Sequence, residues 1–329
     1  MGIQPQHQIR RQHMKRTPII IDCDPGVDDS FAIALAYSRP ELEIVAITAV
    51  EGNVPASLTR RNALGLCETL GINCRVGFGM DRPLKRPYQR DASDTHGKSG
   101  VGSVVFDEIT LAPDPLPAWE IIYQEAVKHE GELVLFAVGP LTNIAMCLML
   151  HPDLPKHLKR LVIMGGGTFG NVRSTGLKAE FNAWIDPTAA KIVIEGTEVY
   201  MVGLNATHAA AVSVEDFDEM IALCGDKYSS GLVRELCRFS RRNHVENGSD
   251  NNCIHDALAV ASLIDPLCVG FEHHYVYVED REDAHNVGET VIDLSDTSGK
   301  AKNCHVAMTV DKKRFADLLK DMCRHYASL

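Results

Sequence analysis

The sequence has no apolar run approaching the ~20 residues that cross a bilayer as a helix, and its longest apolar stretches are broken by Gly, Pro or charge every few positions. A helical membrane protein is excluded. Positive charge is also scarce: 33 Lys and Arg face 44 Asp and Glu, a formal net charge of -11, which argues against a general attraction to nucleic acid or anionic lipid. The ten cysteines (Cys23, Cys67, Cys74, Cys147, Cys224, Cys237, Cys253, Cys268, Cys304 and Cys323) contain no C-x-x-C pair and lie mostly in apolar segments. They read as reduced, buried thiols rather than disulfide halves or metal ligands. No internal repeat or low-complexity linker divides the chain. The N-terminal stretch MGIQPQHQIRRQHMKRT has no acid and no apolar core. It lacks the h-region of a secretory signal, although organellar transit peptides share its Arg-rich, acid-poor character. A flexible tail over residues 1–16 and a cytoplasmic location are expected.

What is present is ordinary globular composition, 45% hydrophobic and 23% charged over 329 residues, enough for one large domain spanning residues 17–329. Strand-like apolar runs at 18–22, 44–48, 133–138, 161–164 and 199–202 alternate with helical periods at 55–70, 119–129, 141–150 and 187–194. Alternation of this kind predicts crossover units and a parallel sheet. After about residue 214 the pattern turns helical, at 228–245 and 257–264, before strand-like runs at 275–278, 290–294 and 306–310. The last helix carries Phe315, Leu318, Leu319, Met322 and Tyr326 on one face. The loops at 80–117, rich in Pro, Gly and charge, read as insertions. The fold class is α/β: a single Rossmann-like domain with a mixed, mostly parallel central sheet flanked by helices. Ligands of such sheets bind beyond the carboxyl ends of the strands, so polar residues following strands become the candidates.

The first strand runs into Asp22, Cys23, Asp24, Pro25, Gly26, Val27, Asp28 and Asp29, four carboxylates within eight residues. First-turn acids are common at helix starts, and any two of these could be that. Four together repel one another and lose hydration unless a cation neutralises them, and an all-oxygen donor set suits a hard ion such as Ca²⁺ or Mg²⁺. Asp-x-Asp after a strand also suits a Mg²⁺-dependent phosphohydrolase of the haloacid-dehalogenase type, with the first Asp as nucleophile. Pro25 and the following double Asp depart from that pattern.

DCDPGVDD resembles the signature of the nucleoside hydrolase family, the inosine-uridine-preferring N-ribohydrolases. The resemblance continues in order through VEGN (50–53), THGKSG (95–100), VGPLTNIA (138–145), VIMGGG (162–167), AEFNAWIDP (179–187) and HDA (255–257), from about residue 17 to the C-terminus. It implies that family's fold and hydrolysis of a ribonucleoside to ribose and free base, in nucleoside salvage. It implies Ca²⁺ held by Asp24, Asp29, Asp256 and the carbonyl of Val138, where many members have Thr. Asp24 is also implied as the base for a water that the cation acidifies. Asp28, Asn53, Asn171, Glu180 and Asn182 are implied to clamp the ribose, with Met164 beneath the sugar, His96 on the base side, and His255 either donating a proton to the leaving base or supporting the site as a packing histidine. Such a clamp favours an oxocarbenium-like transition state and should reject 2′-deoxyribosides.

Some positions depart from the family pattern. Lys98 stands where Glu is common, and Asn171 lies nine residues before Glu180, a longer gap than most members show. The segment RFSRRNHVENGSDNNC lacks the tyrosines some members place near the base; Arg241, Arg242, Asn243 and His244 could take their place. His255 rather than Trp before Asp256 points to the inosine-uridine or pyrimidine-preferring groups. The resemblance also implies a homodimer or homotetramer acting on a small nucleoside, with no nucleic-acid or membrane partner. A nucleoside-binding protein without turnover is the remaining alternative.

Overall fold

In the computed structural model the structure describes residues 16–87, 91–106, 108–170, 175–176, 178–227, 229–247 and 253–329. Its centre is a nine-stranded sheet in the order β3-β2-β1-β4-β5-β6-β9-β7-β8. The strands are β1 Thr17–Cys23, β2 Leu42–Ala49, β3 Arg75–Phe78, β4 Leu133–Ala137, β5 Leu158–Met164, β6 Val199–Val202, β7 Val269–Val278, β8 Thr290–Asp293 and β9 Cys304–Val310. β1 to β6 pair parallel throughout, β9 is parallel to β6, and β7 pairs antiparallel with both β9 and β8. The chain builds outward through β2 and β3 and then returns to the other flank of β1 with β4. Strand order therefore reverses between β1 and β4, and a crevice opens beyond their carboxyl ends.

Side-chain alternation divides the core into two layers. Ile19, Ile21 and Cys23 face one layer together with Val134 and Phe136, and Ile20 faces the other with Leu133, Leu135 and Ala137. The first layer is covered by the helices Val27–Tyr37, Ala56–Leu70, His255–Ile264 and Lys312–Ser328, through Phe31, Leu66, Leu258 and Phe315. The second is covered by Ala118–Lys128, Thr142–Leu150 and Pro187–Gly196, through Ile121, Ile144 and Val193. Strands buried on both faces read as continuous apolar runs, which is why IIID and LVLFAV stand out in the sequence.

The sequence reading misses β3, whose four residues are too short to show a period, and begins β7 six residues late because Gly270 and the His273–His274 pair interrupt its apolar pattern. Both histidines lie on that strand, His273 exposed and His274 buried. The helix expected from residue 228 spans Gly231–Asn247. The described cysteines are all free, and eight of the ten are buried. The 80–117 segment is more than a surface insertion: Val101 and Phe106 are buried in the first layer. Among the described residues no helix is long and apolar enough to cross a membrane. The proposed tail lies outside the described residues except for Arg16, which pairs with Glu43 at 3.1 Å.

The last helix begins at Asp311, whose Oδ1 accepts the Arg314 amide at 3.1 Å. It buries Phe315, Leu319, Met322 and Tyr326, and the Tyr326 hydroxyl donates to the Ala34 carbonyl at 3.0 Å, clamping this helix to Val27–Tyr37. Leu318 sits at the margin of that face, half-buried. Replacing Phe315 by Ala should destabilise the domain by about 3–5 kcal/mol, read as a lower urea midpoint with an unchanged slope.

Candidate active site

Residues expected from every part of the sequence converge at the crevice. Asp24, Asp28 and Asp29 follow β1, Asn53 follows β2, Val138 follows β4, and Met164 ends β5. Glu180 caps the helix Phe181–Ile185, accepting the Asn182 amide at 2.9 Å and the Ala183 amide at 3.1 Å, and also takes the Gly166 amide at 3.1 Å. His255 and Asp256 open the helix His255–Ile264, and His96 ends the short helix Ser93–His96. Asn171 lies outside the described residues.

Carboxylate oxygens of Asp28, Asp29 and Asp256 all lie within 4.8 Å of one another. Asp24 adjoins them: its amide donates to Asp29 Oδ1 at 3.2 Å, and its own Oδ2 accepts the Asn53 amide at 2.6 Å. Asp29 Oδ2 accepts the Gly26 amide at 2.7 Å and Asn53 Nδ2 at 3.1 Å. Two oxygens are buried without a hydrogen-bond partner, Asp24 Oδ1 and Asp28 Oδ1. Burial raises the pKa of Asp28 and of Asp29 to about 6, with repulsion from Asp28 adding to the effect on Asp29. Burial, and then the neighbouring carboxylates, raise Asp24 and Asp256 well above the ordinary range. A buried anion cluster with orphaned oxygens is what a cation would neutralise, so these side chains fit a hard metal ion. Asp28, which the resemblance assigned to the ribose, shares this cluster with Asp29 and Asp256.

Two glycines make room for Asp24. A Cβ on Gly52 would sit 2.1 Å from Asp24 Oδ2, and one on Gly139 would sit 2.6 Å from Asp24 Oδ1. These contacts give the G of VEGN and of VGPL a steric reason. The Val138 carbonyl accepts Asn182 Nδ2 at 2.8 Å and keeps a second lone pair. Asn182 Nδ2 also reaches the Met164 carbonyl at 3.1 Å and its sulfur at 3.7 Å, while no described residue bonds its Oδ1. Glu180 is buried, and burial raises its pKa to about 6.

Two histidines adjoin the acids. His96 Nδ1 accepts the Val27 amide at 3.1 Å and lies 3.6 Å from Asp28 Oδ1. Burial lowers its pKa. His255 Nδ1 lies 2.8 Å from Thr207 Oγ1, and its ring centroid is 6.0 Å from that of His208. Burial, then His208 and His96, push its pKa down to about 3, so at neutral pH it is an uncharged imidazole. Asn243 reaches the Thr95 carbonyl beside His96 at 3.2 Å. Arg241 instead pairs with Asp218, and Arg242 lies over the Phe239 ring, its guanidinium carbon 5.8 Å from the centroid. Nothing is described of the His244 side chain.

Two further buried acids, Asp22 and Asp186, lie within the sequence motifs but serve the scaffold. Asp22 is fully buried, its Oδ1 accepting Thr48 Oγ1 at 2.5 Å and Asn143 Nδ2 at 2.8 Å. Burial raises its pKa to about 7. Both donors hold Asp22 Oδ1 inside the core, tied to β2 and to the helix after β4, which speaks against Asp22 as the nucleophile of a haloacid-dehalogenase-type enzyme. Asp186 caps Pro187–Gly196 and holds Thr142 Oγ1 at 2.9 Å and the Leu84 amide at 2.8 Å. Away from the crevice Glu198, His273 and His305 also gather. There His305 stacks on both His273 and Tyr200 at 4.3 Å, and its Nε2 lies 2.5 Å from Glu198. Parallel rings aim their nitrogen lone pairs into parallel planes, so stacking and this hydrogen bond account for the group.

The family model of the inosine-uridine preferring nucleoside hydrolases matches residues 19–317. The chain belongs to that family. It is 36% identical over 315 residues to the pyrimidine-specific ribonucleoside hydrolase RihA of Escherichia coli (strain SMS-3-5 / SECEC), with 94% of this chain and 99% of the relative covered. A purine-preferring ribonucleoside hydrolase from Gardnerella vaginalis has a similar structure, with TM-score 0.84 and 27% identity over 94% of this chain and 99% of that one. So does an inosine-guanosine nucleoside hydrolase, with TM-score 0.81 and 28% identity over 93% and 98%. The chain is thus a ribonucleoside hydrolase, an N-glycosidase acting on small nucleosides. Its family is metal-dependent, and the Asp28, Asp29 and Asp256 group is an acidic site of the kind a metal needs. Gly52→Ala should displace Asp24 and weaken divalent-cation affinity at least about tenfold in a calorimetric titration, with an unchanged far-ultraviolet spectrum.

Proposed function

We propose that this hydrolase cleaves ribonucleosides of the uridine, cytidine and inosine type with Ca²⁺ in the acidic site, for nucleoside salvage in the cytoplasm, as a homodimer or homotetramer. The observation that carries the reading is Asp24 Oδ1, a buried carboxylate oxygen with no partner beside a three-carboxylate ligand set. An all-oxygen donor set of Asp24, Asp28, Asp29, Asp256 and the Val138 carbonyl favours Ca²⁺, and the 36% identity to a pyrimidine-specific relative favours pyrimidine ribosides. When bound, the ion supplies a positive charge that lowers the pKa of water beside it.

The residues do the rest. Asp24 takes the proton of the attacking water at Oδ1, the carboxylate oxygen that no described residue bonds. Asp28 Oδ1, the Asn182 Oδ1 and the Asn53 side chain take the ribose hydroxyls, with Met164 beneath the sugar and Asn171 extending the clamp. Glu180 keeps negative charge beside the ring, where the C–N bond lengthens and oxocarbenium charge develops. His96 lies on the base side. His255, uncharged in the resting site, serves the leaving base by donating a hydrogen bond through Nε2–H as negative charge builds on the base.

Ribose release from uridine, cytidine, inosine and adenosine, with and without a chelator that strips Ca²⁺, tests this reading. Release from at least one riboside, lost on stripping and restored by Ca²⁺, is expected, and binding without release would make the protein a nucleoside-binding protein. Asp24→Ala should cut turnover by roughly 10³-fold or more, with full activity refuting the base assignment. The 2′-deoxy substrates should lose about 10⁴-fold in kcat/KM, because a clamp built for hydroxyls leaves buried partners unpaired.

A further inference from the structure

The geometry points to Thr207 as the residue that positions His255, holding its ring so that the Nε2–H faces the leaving base. This rests on the reading of His255 as the group that serves that base. Thr207 is buried on the helix Leu204–Ala209, its amide donating to the Gly203 carbonyl at 3.1 Å, so its side chain stands on fixed backbone. Its hydroxyl lies 2.8 Å from His255 Nδ1 and 3.3 Å from the Leu204 carbonyl. A hydroxyl has one proton to donate. Given to the shorter contact, that proton goes from Oγ1–H to Nδ1, and the imidazole then carries its own proton on Nε2. No described residue bonds Nε2, which leaves that donor for a substrate.

Should the ring become an imidazolium, the same hydroxyl turns to donate to the Leu204 carbonyl and accepts from Nδ1–H. Nε2–H is retained in both forms, so the device does not depend on how His255 titrates. The competing arrangement is a neutral ring protonated at Nδ1, with Thr207 donating to Leu204; it would leave Nε2 without a proton. The tautomer of a functional histidine is set by the partner of its other nitrogen, as second-shell partners do for metal-bound histidines. His208, on the same helix as Thr207, limits how far the ring can swing, since its own ring lies 6.0 Å away and carries Phe169 edge-on at 5.2 Å.

Thr207→Val keeps the shape and removes the hydroxyl, and Thr207→Ser keeps the hydroxyl. On uridine, Thr207→Val should lower kcat by about tenfold to a hundredfold with KM changed by less than about twofold. On 4-nitrophenyl riboside, whose leaving group needs no help, it should stay within about twofold of the parent, and Thr207→Ser should recover most of the uridine rate. Equal loss on both substrates, or no loss on either, overturns the inference. Nitrogen-15 spectra of the histidine-labelled parent give an answer even if Thr207→Val fails to fold: a protonated Nε2 in His255 is expected, and a protonated Nδ1 refutes it. His255→Ala separates the two levels. If it cleaves uridine normally, the reading of His255 falls and the inference with it; if it is slow while Thr207→Val is not, the inference alone falls.

Discussion

Confining several carboxylates within a few ångströms of one another, out of water, is the constraint on which the rest of this structure depends. Left alone, such a cluster would take up protons or pull apart, and the raised pKa of Asp24, Asp28, Asp29 and Asp256 expresses that tendency. Backbone amides meet part of the demand. Asp29 is held by the amides of Gly26 and Asp24, and Asp24 by that of Asn53. What remains is orphaned oxygen facing inward, a demand that amides do not meet and a cation would.

The sheet makes this confinement possible. β1 lies at the point where strand order reverses, so the loops after β1 and β4 part and a crevice forms between them. Rigid strands buried on both faces fix the loop ends, and helix starts deliver Glu180, with amides aimed at it, and His255 and Asp256. Gly52 and Gly139 let two loops close on Asp24 without a side chain between. Asp22 is buried in the core, where its Oδ1 accepts from Thr48 and Asn143, tying β1 to β2 and to the helix after β4. One motif thus contains both a fastening acid, on the strand itself, and acids that lie beyond the strand's end and in the first turn of the next helix.

The segment between β3 and the helix Ala118–Lys128 shows how the crevice acquires its second wall. Asn62 holds the Pro25 and Ser99 carbonyls at 3.1 and 2.8 Å, binding that segment to the acidic turn. His96 thereby comes over Val27 and Asp28. His96 and His255 both stand beside the acids, His96 3.6 Å from Asp28 and His255 next to Asp256 at the start of its helix.

By itself the sequence determined the alternation of buried strands and amphipathic helices, because burial on both sheet faces demands apolar runs and burial on one helix face demands a period. It also marked the first loop as a candidate cation site through four carboxylates in eight residues, of which Asp28 and Asp29 join Asp256 in the acidic group and Asp22 does not. Asn53, Glu180, Asn182, His255 and Asp256 were reached only by resemblance: nothing in the local pattern says that they meet Asp24. Their proximity follows from strand order, which depends on pairing between distant segments. Tertiary structure alone decided that Asp22 is buried away from the crevice, that Arg241 is turned to Asp218, and that β7 reverses against β9. It also decided the meeting of Thr207 and His255, residues on separate helices whose hydrogen bond exists only because the sheet stacks those helices side by side.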